Sequence, residues 1–203
     1  MSSKSLPTEK HITAEEKAAD STTFFGFWMY LMTDFVLFAS LFAVYLVLRA
    51  NTFGGPSTYQ IFNGPFALAE TLILLTSSFT CGLSLLAARK GSKGPLLFWL
   101  GLTFLLGALF VGLEFSEFSR LVTEGNSWQR SGFLSSYFVL VGTHGLHVTL
   151  GLIWILALMI AIARRGLTRF NMRKLVLLAT FWHFLEIIWV FIFVIVYLMG
   201  IAV

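Results

Sequence analysis

Eight ionisable residues stand inside long apolar stretches of this sequence: Asp34, Glu70, Glu114, Glu117, His144, His147, His183 and Glu186. Six of them form i, i+3 pairs: ExxE at 114–117, HxxH at 144–147 and HxxE at 183–186. That spacing places both members of a pair on one face of a helix. Carboxylates and imidazoles so paired make up the donor set of carboxylate-bridged dimetal sites in helical bundles. The same residue types build intramembrane proton relays. In apolar surroundings every such group needs a partner, water or a neutral protonation state, so a lone acid such as Asp34 is protonated or paired.

The elements that carry these residues are membrane spans. Of 203 residues, 57% are apolar and only 12% charged, with a mean hydropathy of +0.83. A soluble domain of this length has too little polar surface to enclose so much apolar side chain. The apolar residues also fall in blocks near or above twenty residues, the length of a membrane-spanning helix. Five spans are expected, at 24–48, 66–88, 96–119, 133–163 and 175–199, after a polar tail over 1–23 with a short interfacial helix around TAEEKAAD. The fold class is therefore all-α, a polar tail (1–23) followed by a five-helix transmembrane domain (24–203). The first apolar block is too long, and lacks the small-residue cleavage pattern, to be a secretory signal. No internal repeat is visible.

Lys and Arg set the orientation. The tail, the second connection (Arg89, Lys90, Lys93) and the fourth connection (Arg164, Arg165, Arg169, Arg173, Lys174) hold eleven, against three on the alternate side (Arg49, Arg120, Arg130). The positive-inside rule then puts the N-terminus in the cytoplasm and the C-terminus outside. The net charge of +4 is thus a matter of orientation and does not point to nucleic acid. Cys81, the single cysteine, lies in an apolar block and reads as a small packing residue. Trp128, between spans, reads as an interfacial anchor. Gly101, Gly107 and Gly112 on the third span, and Gly142, Gly145 and Gly151 on the fourth, allow close helix approach.

Helix rise sorts the ionisable residues by depth. At 1.5 Å per residue, Glu114 falls roughly 27 Å along an outward-running third helix, and His144 and His147 roughly 16–21 Å inward along the fourth. His183 and Glu186 fall roughly 12–17 Å up the fifth helix, and Asp34 roughly 15 Å up the first. The arithmetic gives an inner layer of Asp34, His144, His147, His183 and Glu186, and an outer group of Glu70, Glu114 and Glu117, with the third-helix acids out of reach of the histidines. For the inner layer, a hydrogen-bonded cluster that locks helices together ranks ahead of proton handling, and both rank ahead of a metal site, which needs imidazoles at matched depth. Glu114 and Glu117 read as an interfacial pair whose heads reach water.

Four segments give a family resemblance: GFWMYLMTDFVLF (26–38), GLEFSEF (112–118), GTHGLHV (142–148) and FWHFLEIIW (181–189). Together they resemble subunit III of the haem–copper terminal oxidases, over essentially all of the chain after the tail. Within that family the five-span form, the GFWxYLM opening and the ARRGL loop (163–167) are most similar to the cytochrome o ubiquinol oxidases. The mitochondrial type has two further helices at its start, for which this chain has no room.

The resemblance implies a non-redox subunit of a proton-pumping ubiquinol oxidase in the bacterial inner membrane. Haems and copper belong to subunit I and none to this chain; subunits I, II and IV and membrane phospholipids are the expected partners. The histidine inventory agrees: four histidines, with His11 in the tail, are too few for two haems and a copper. Asp34 falls where the family has a buried, carbodiimide-reactive carboxylate, and Glu114 falls at another family acid. Asp34, Glu70, Glu114 and Glu117 are thus candidates for lipid-cleft or proton-antenna groups; His144, His147, His183 and Glu186 are expected to form the interhelical polar cluster. Glu186 departs from the Asp that many relatives carry, which leaves the partner of His183 open. An independent proton-coupled transporter is the alternative, and the missing repeats and unbroken spans count against it. A membrane metalloenzyme is the third reading.

Overall fold

The computed structural model describes residues 14–52 and 64–199, with side chains from residue 21 onward. Five helices are long and apolar enough to cross a membrane, as expected for the all-α class. They are α1 (Ala14–Leu48), α2 (Gly64–Arg89), α3 (Lys93–Thr123), α4 (Gly132–Arg165) and α5 (Arg169–Ile192), the last continuing into a π-helical segment, Phe193–Leu198. The expected interfacial helix and the first span form one continuous helix, so residue 23 marks a change of composition and not a break. The rest of the tail, with His11, and residues 53–63 between the first two spans lie outside the described residues.

Two helices run past the apolar blocks that foretold them. α3 continues to Thr123, and α5 starts at Arg169 rather than near 175. Polarity does not end a helix; caps do. At the start of α5 the Thr168 hydroxyl accepts the Asn171 N–H at 3.2 Å, while Asn171 Nδ2 donates to the Gly166 carbonyl at 2.9 Å. Gly166 has a φ of 74° at the C-cap of α4, a conformation that favours glycine. Ser131 caps α4 by accepting from the Leu134 N–H.

Helices α2, α3, α4 and α5 close a ring in which each packs on the next and α5 returns to α2; α1 lies outside, chiefly on α4 and less on α5. The ring is held by packing and by polar contacts, because the apolar environment supplies no hydrophobic drive between helices. Ser77 donates to the Thr103 carbonyl at 3.1 Å, and the Thr80 and Thr103 hydroxyls pair at 2.9 Å, tying α2 to α3. Two tryptophans tie α5 to α2: Trp182 Nε1 donates to Ser77 Oγ at 3.2 Å, and Trp189 Nε1 to Thr71 Oγ1 at 3.1 Å.

Trp182 explains two of the expected small-residue positions. Its indole fills a slot between α3 and α4, where a Cβ on Gly107 would stand 2.8 Å from Cη2 and Cζ2, and one on Gly151 would stand 2.9 Å from Cζ3. Gly112 is different: a Cβ there meets nothing within 4 Å. Cys81 is fully buried, in keeping with a packing role.

Candidate functional site

The acids expected at the water interface turn inward. Glu70 on α2 is 0% exposed, and Glu114 and Glu117 on α3 are 4% and 3% exposed. The three carboxyls lie close enough to feel one another's charge. Glu117 is the well-partnered member. Its Oε2 accepts from the Tyr197 hydroxyl at 3.1 Å and the Tyr137 hydroxyl at 3.4 Å, and those hydroxyls lie 3.2 Å apart. Its Oε1 lies 3.7 Å from the Arg120 guanidinium. By contrast, both Glu70 oxygens and Glu114 Oε1 have no hydrogen-bond partner among the described residues. A cavity of about 190 Å³, lined by Phe66, Ser116, Glu117 and Arg120, meets the group at Glu117.

The π-helical turn makes this geometry. It widens the last segment of α5 and brings Tyr197, on the far end of the chain's final span, to the same carboxylate oxygen as Tyr137 of α4. Both tyrosines are buried, at 1% and 0%. Nothing in the spacing of the sequence singled them out; their signal is only that each is a tyrosine within an otherwise apolar helix end.

Glu114 also corrects the expected separation of layers. A Cβ on Gly145 would lie 2.7 Å from Glu114 Oε2, so this carboxyl rests on the α4 backbone beside His144. The two layers touch, although no hydrogen bond or ion pair joins a third-helix acid to a histidine among the described residues. The reason is side-chain direction. Side chains lean toward the N-terminus of their own helix, and α3 and α4 run antiparallel, so Glu114 and the α4 histidines lean toward each other.

The expected cluster of His144, His147, His183 and Glu186 is not brought together by hydrogen bonds. His147 pairs with Asp34 of α1: Nε2 lies 3.8 Å from Oδ2, beyond hydrogen-bond reach, while Nδ1 is 2.7 Å from the Thr143 carbonyl. Asp34 is 7% exposed. His144 is fully buried among rings from three helices, stacked on Trp189 at 5.3 Å and edge-on to Phe110 at 6.0 Å and Phe38 at 6.3 Å. It joins helices by ring packing; neither of its nitrogens has a hydrogen-bond partner among the described residues. His183 is exposed on the outside of the bundle, with Nδ1 on the Ala179 carbonyl of its own helix at 2.6 Å, and Glu186 is half-buried. A shared face on one helix did not make a shared site: His183 is exposed and its Nδ1 turns back to the backbone of its own helix.

These features define a class: a polytopic membrane protein most of whose intramembrane polar residues bind helices to one another or gather in a buried acid group. Comparison with known proteins narrows the class. The family model for cytochrome c oxidase subunit III matches residues 6–201, and the chain belongs to that family. It is 58% identical over 178 residues to cytochrome bo(3) ubiquinol oxidase subunit 3 of Pseudomonas aeruginosa, covering 88% of this chain and 85% of the relative. It is 51% identical over 179 residues to the protein of the same name in Pseudomonas putida, covering 88% and 86%. A cytochrome c oxidase subunit 3 from Bacillus sp. strain PS3 is 46% identical over 192 residues, covering 95% and 91%. The family's description is that of one subunit, so its members work beside others.

Proposed function

We propose that this chain is the third subunit of a cytochrome o-type ubiquinol oxidase in the bacterial inner membrane, and that it serves assembly and stability rather than electron transfer. The identity of 58% along 88% of the chain carries the reading. The assembled enzyme oxidises ubiquinol and reduces oxygen to water; the N-terminus of this chain faces the cytoplasm, and its C-terminus and the 124–131 connection face the periplasm.

What supports a supporting role is the use to which the polar residues are put. The Ser77–Thr103, Trp182–Ser77, Trp189–Thr71 and Asp34–His147 contacts each join two helices and leave a rigid bundle. The donor set does not fit a haem or copper. His144 is closed in by rings, His147 faces Asp34 from α4, and His183 lies on the outer face of α5. The reading assigns haems and copper to the catalytic partner, subunit I, with subunits II and IV and phospholipids as further neighbours. Asp34, at the α1–α4 contact, is the lipid-cleft or proton-antenna carboxylate of the reading.

Purification in mild detergent tests it. The expected result is co-purification with a haem-containing multi-subunit complex, and a strain lacking this chain yields haem of normal spectrum whose turnover decays sooner. A haem-free oligomer that transports protons by itself refutes the proposal.

A further inference from the structure

We infer that Glu70, Glu114 and Glu117 form one shared-proton site, which exchanges protons with the aqueous face beside Arg120. Three carboxyls from two packed helices act on one another electrostatically, and Glu70 is 0% and Glu114 4% exposed. Among the described residues no donor reaches either oxygen of Glu70 or Oε1 of Glu114. A carboxylate buried without donors is the costliest arrangement available to that group, whereas the acid form is neutral and can donate. Three like charges at close quarters in apolar surroundings also cannot all persist, so at least one proton is held among them.

The surroundings decide how the proton is held. Among the described residues, the ionisable groups that face the carboxyls are Arg120 on α3, Tyr137 on α4 and Tyr197 on the π-helical turn. His144 lies one residue from Gly145, where Glu114 rests, and forms no hydrogen bond to the group. Arginine and both hydroxyls converge on Glu117, so this carboxyl carries the negative charge and Glu70 and Glu114 are the members that hold protons. Glu117 is also the member that lines the 190 Å³ cavity, which has room for several waters, and the Arg120 side chain is 46% exposed. Exchange therefore runs between water in the cavity and Glu117, then inward. Uptake adds a proton to a carboxylate oxygen and release returns it; no other bond is made or broken. The site lies near the α3–α4 connection, apart from the Asp34–His147 pair on α1 and α4.

Infrared difference spectroscopy on the purified intact complex that contains this chain reads the site directly. The wild type is expected to show a protonated-carboxyl carbonyl band that shifts in D2O and responds to bath pH. Glu70→Gln and Glu114→Gln are each expected to remove part of that band, and Tyr197→Phe to shift it. A band that is the same in wild type, E70Q and E114Q overturns the inference, and so does one that fails to respond to bath pH. If neither glutamine variant assembles, Glu70→Asp and Glu114→Asp keep the acid and are expected to move the band; an unmoved band again refutes. The inference rests on the residues and not on the oxidase reading, and the haem content of the same samples separates failure of one from failure of the other.

Discussion

Gly107→Ala tests whether the Trp182 slot is the tight point of the bundle. The added Cβ meets Cη2 and Cζ2 of Trp182 at 2.8 Å and Cδ2 of Leu152 at 2.9 Å. Carbon atoms prefer about 3.5–4.0 Å, so the indole has to retreat by about 0.7 Å. It has little room: even a Cβ built on Gly151 would stand 2.9 Å from it on the α4 side, and its Nε1 is tied to Ser77. Overpacking of this kind costs about 1–3 kcal/mol, against which alanine returns up to about 1 kcal/mol in helix propensity. The net expectation is a loss of about 1–2 kcal/mol. Gly112→Ala and Gly82→Ala, whose Cβ meets nothing within 4 Å, keep the propensity gain alone and are expected to be neutral or stabilising. Thermal unfolding in mild detergent, followed by helical circular dichroism, compares them. Trp182→Phe supplies the second arm: in that background Gly107→Ala should cost at least about 1 kcal/mol less, a coupling of the size contacting residues show. An equal cost in both backgrounds, or a Gly82→Ala variant as damaged as Gly107→Ala, refutes the steric argument.

Other outcomes follow from the same geometry. Gly145→Ala places a Cβ 2.7 Å from Glu114 Oε2, but the obstacle is the end of a flexible side chain, so unfolding should show a smaller loss than Gly107→Ala while the infrared carboxyl band moves. Thr71→Val strands the buried Trp189 N–H and should cost about 1–3 kcal/mol, falling toward zero in a Trp189→Phe background when the two are compared by thermal unfolding. Asp34→Asn removes the carboxyl opposite His147 at 3.8 Å; haem spectra of the complex should be unchanged, with turnover durability or retained lipid modestly reduced, and loss of haem would sink the role assigned to Asp34.

Much of the bundle was readable before its structure. Span number and approximate position follow from block length, because a helix that crosses a membrane needs a fixed run of apolar residues. The tight glycines at 107, 145 and 151 were also legible as small residues on ionisable or aromatic-rich helices, though spacing alone could not separate them from Gly112. The ends at Thr123 and Arg169 were not legible from hydropathy, since the first is set by the turn at Glu124 and Gly125, whose φ is 79°, and the second by cap chemistry at Thr168, Asn171 and Gly166.

The site was legible by residue type but not by partner, and the difference has one physical source. An i, i+3 motif fixes which side chains share a face of their own helix; it does not fix where that face points once five helices pack. His144 and His147 share such a motif, yet one meets Trp189 and the other Asp34. His183 and Glu186 share another, and His183 ends outside the bundle. Depth arithmetic failed at Glu114 for a related reason: it located Cα atoms, whereas the carboxyl is carried back along its helix by the lean of its side chain. The two tyrosines that complete the acid site come from α4 and from beyond a π-helical turn. A register change of that kind alters which residue faces inward without altering composition, so no periodic reading of α5 could have placed Tyr197 beside Glu117. Straightening the turn is therefore the structural change most damaging to the acid site: it rotates Tyr197 off Glu117 Oε2 and leaves Tyr137 as its remaining hydroxyl donor among the described residues.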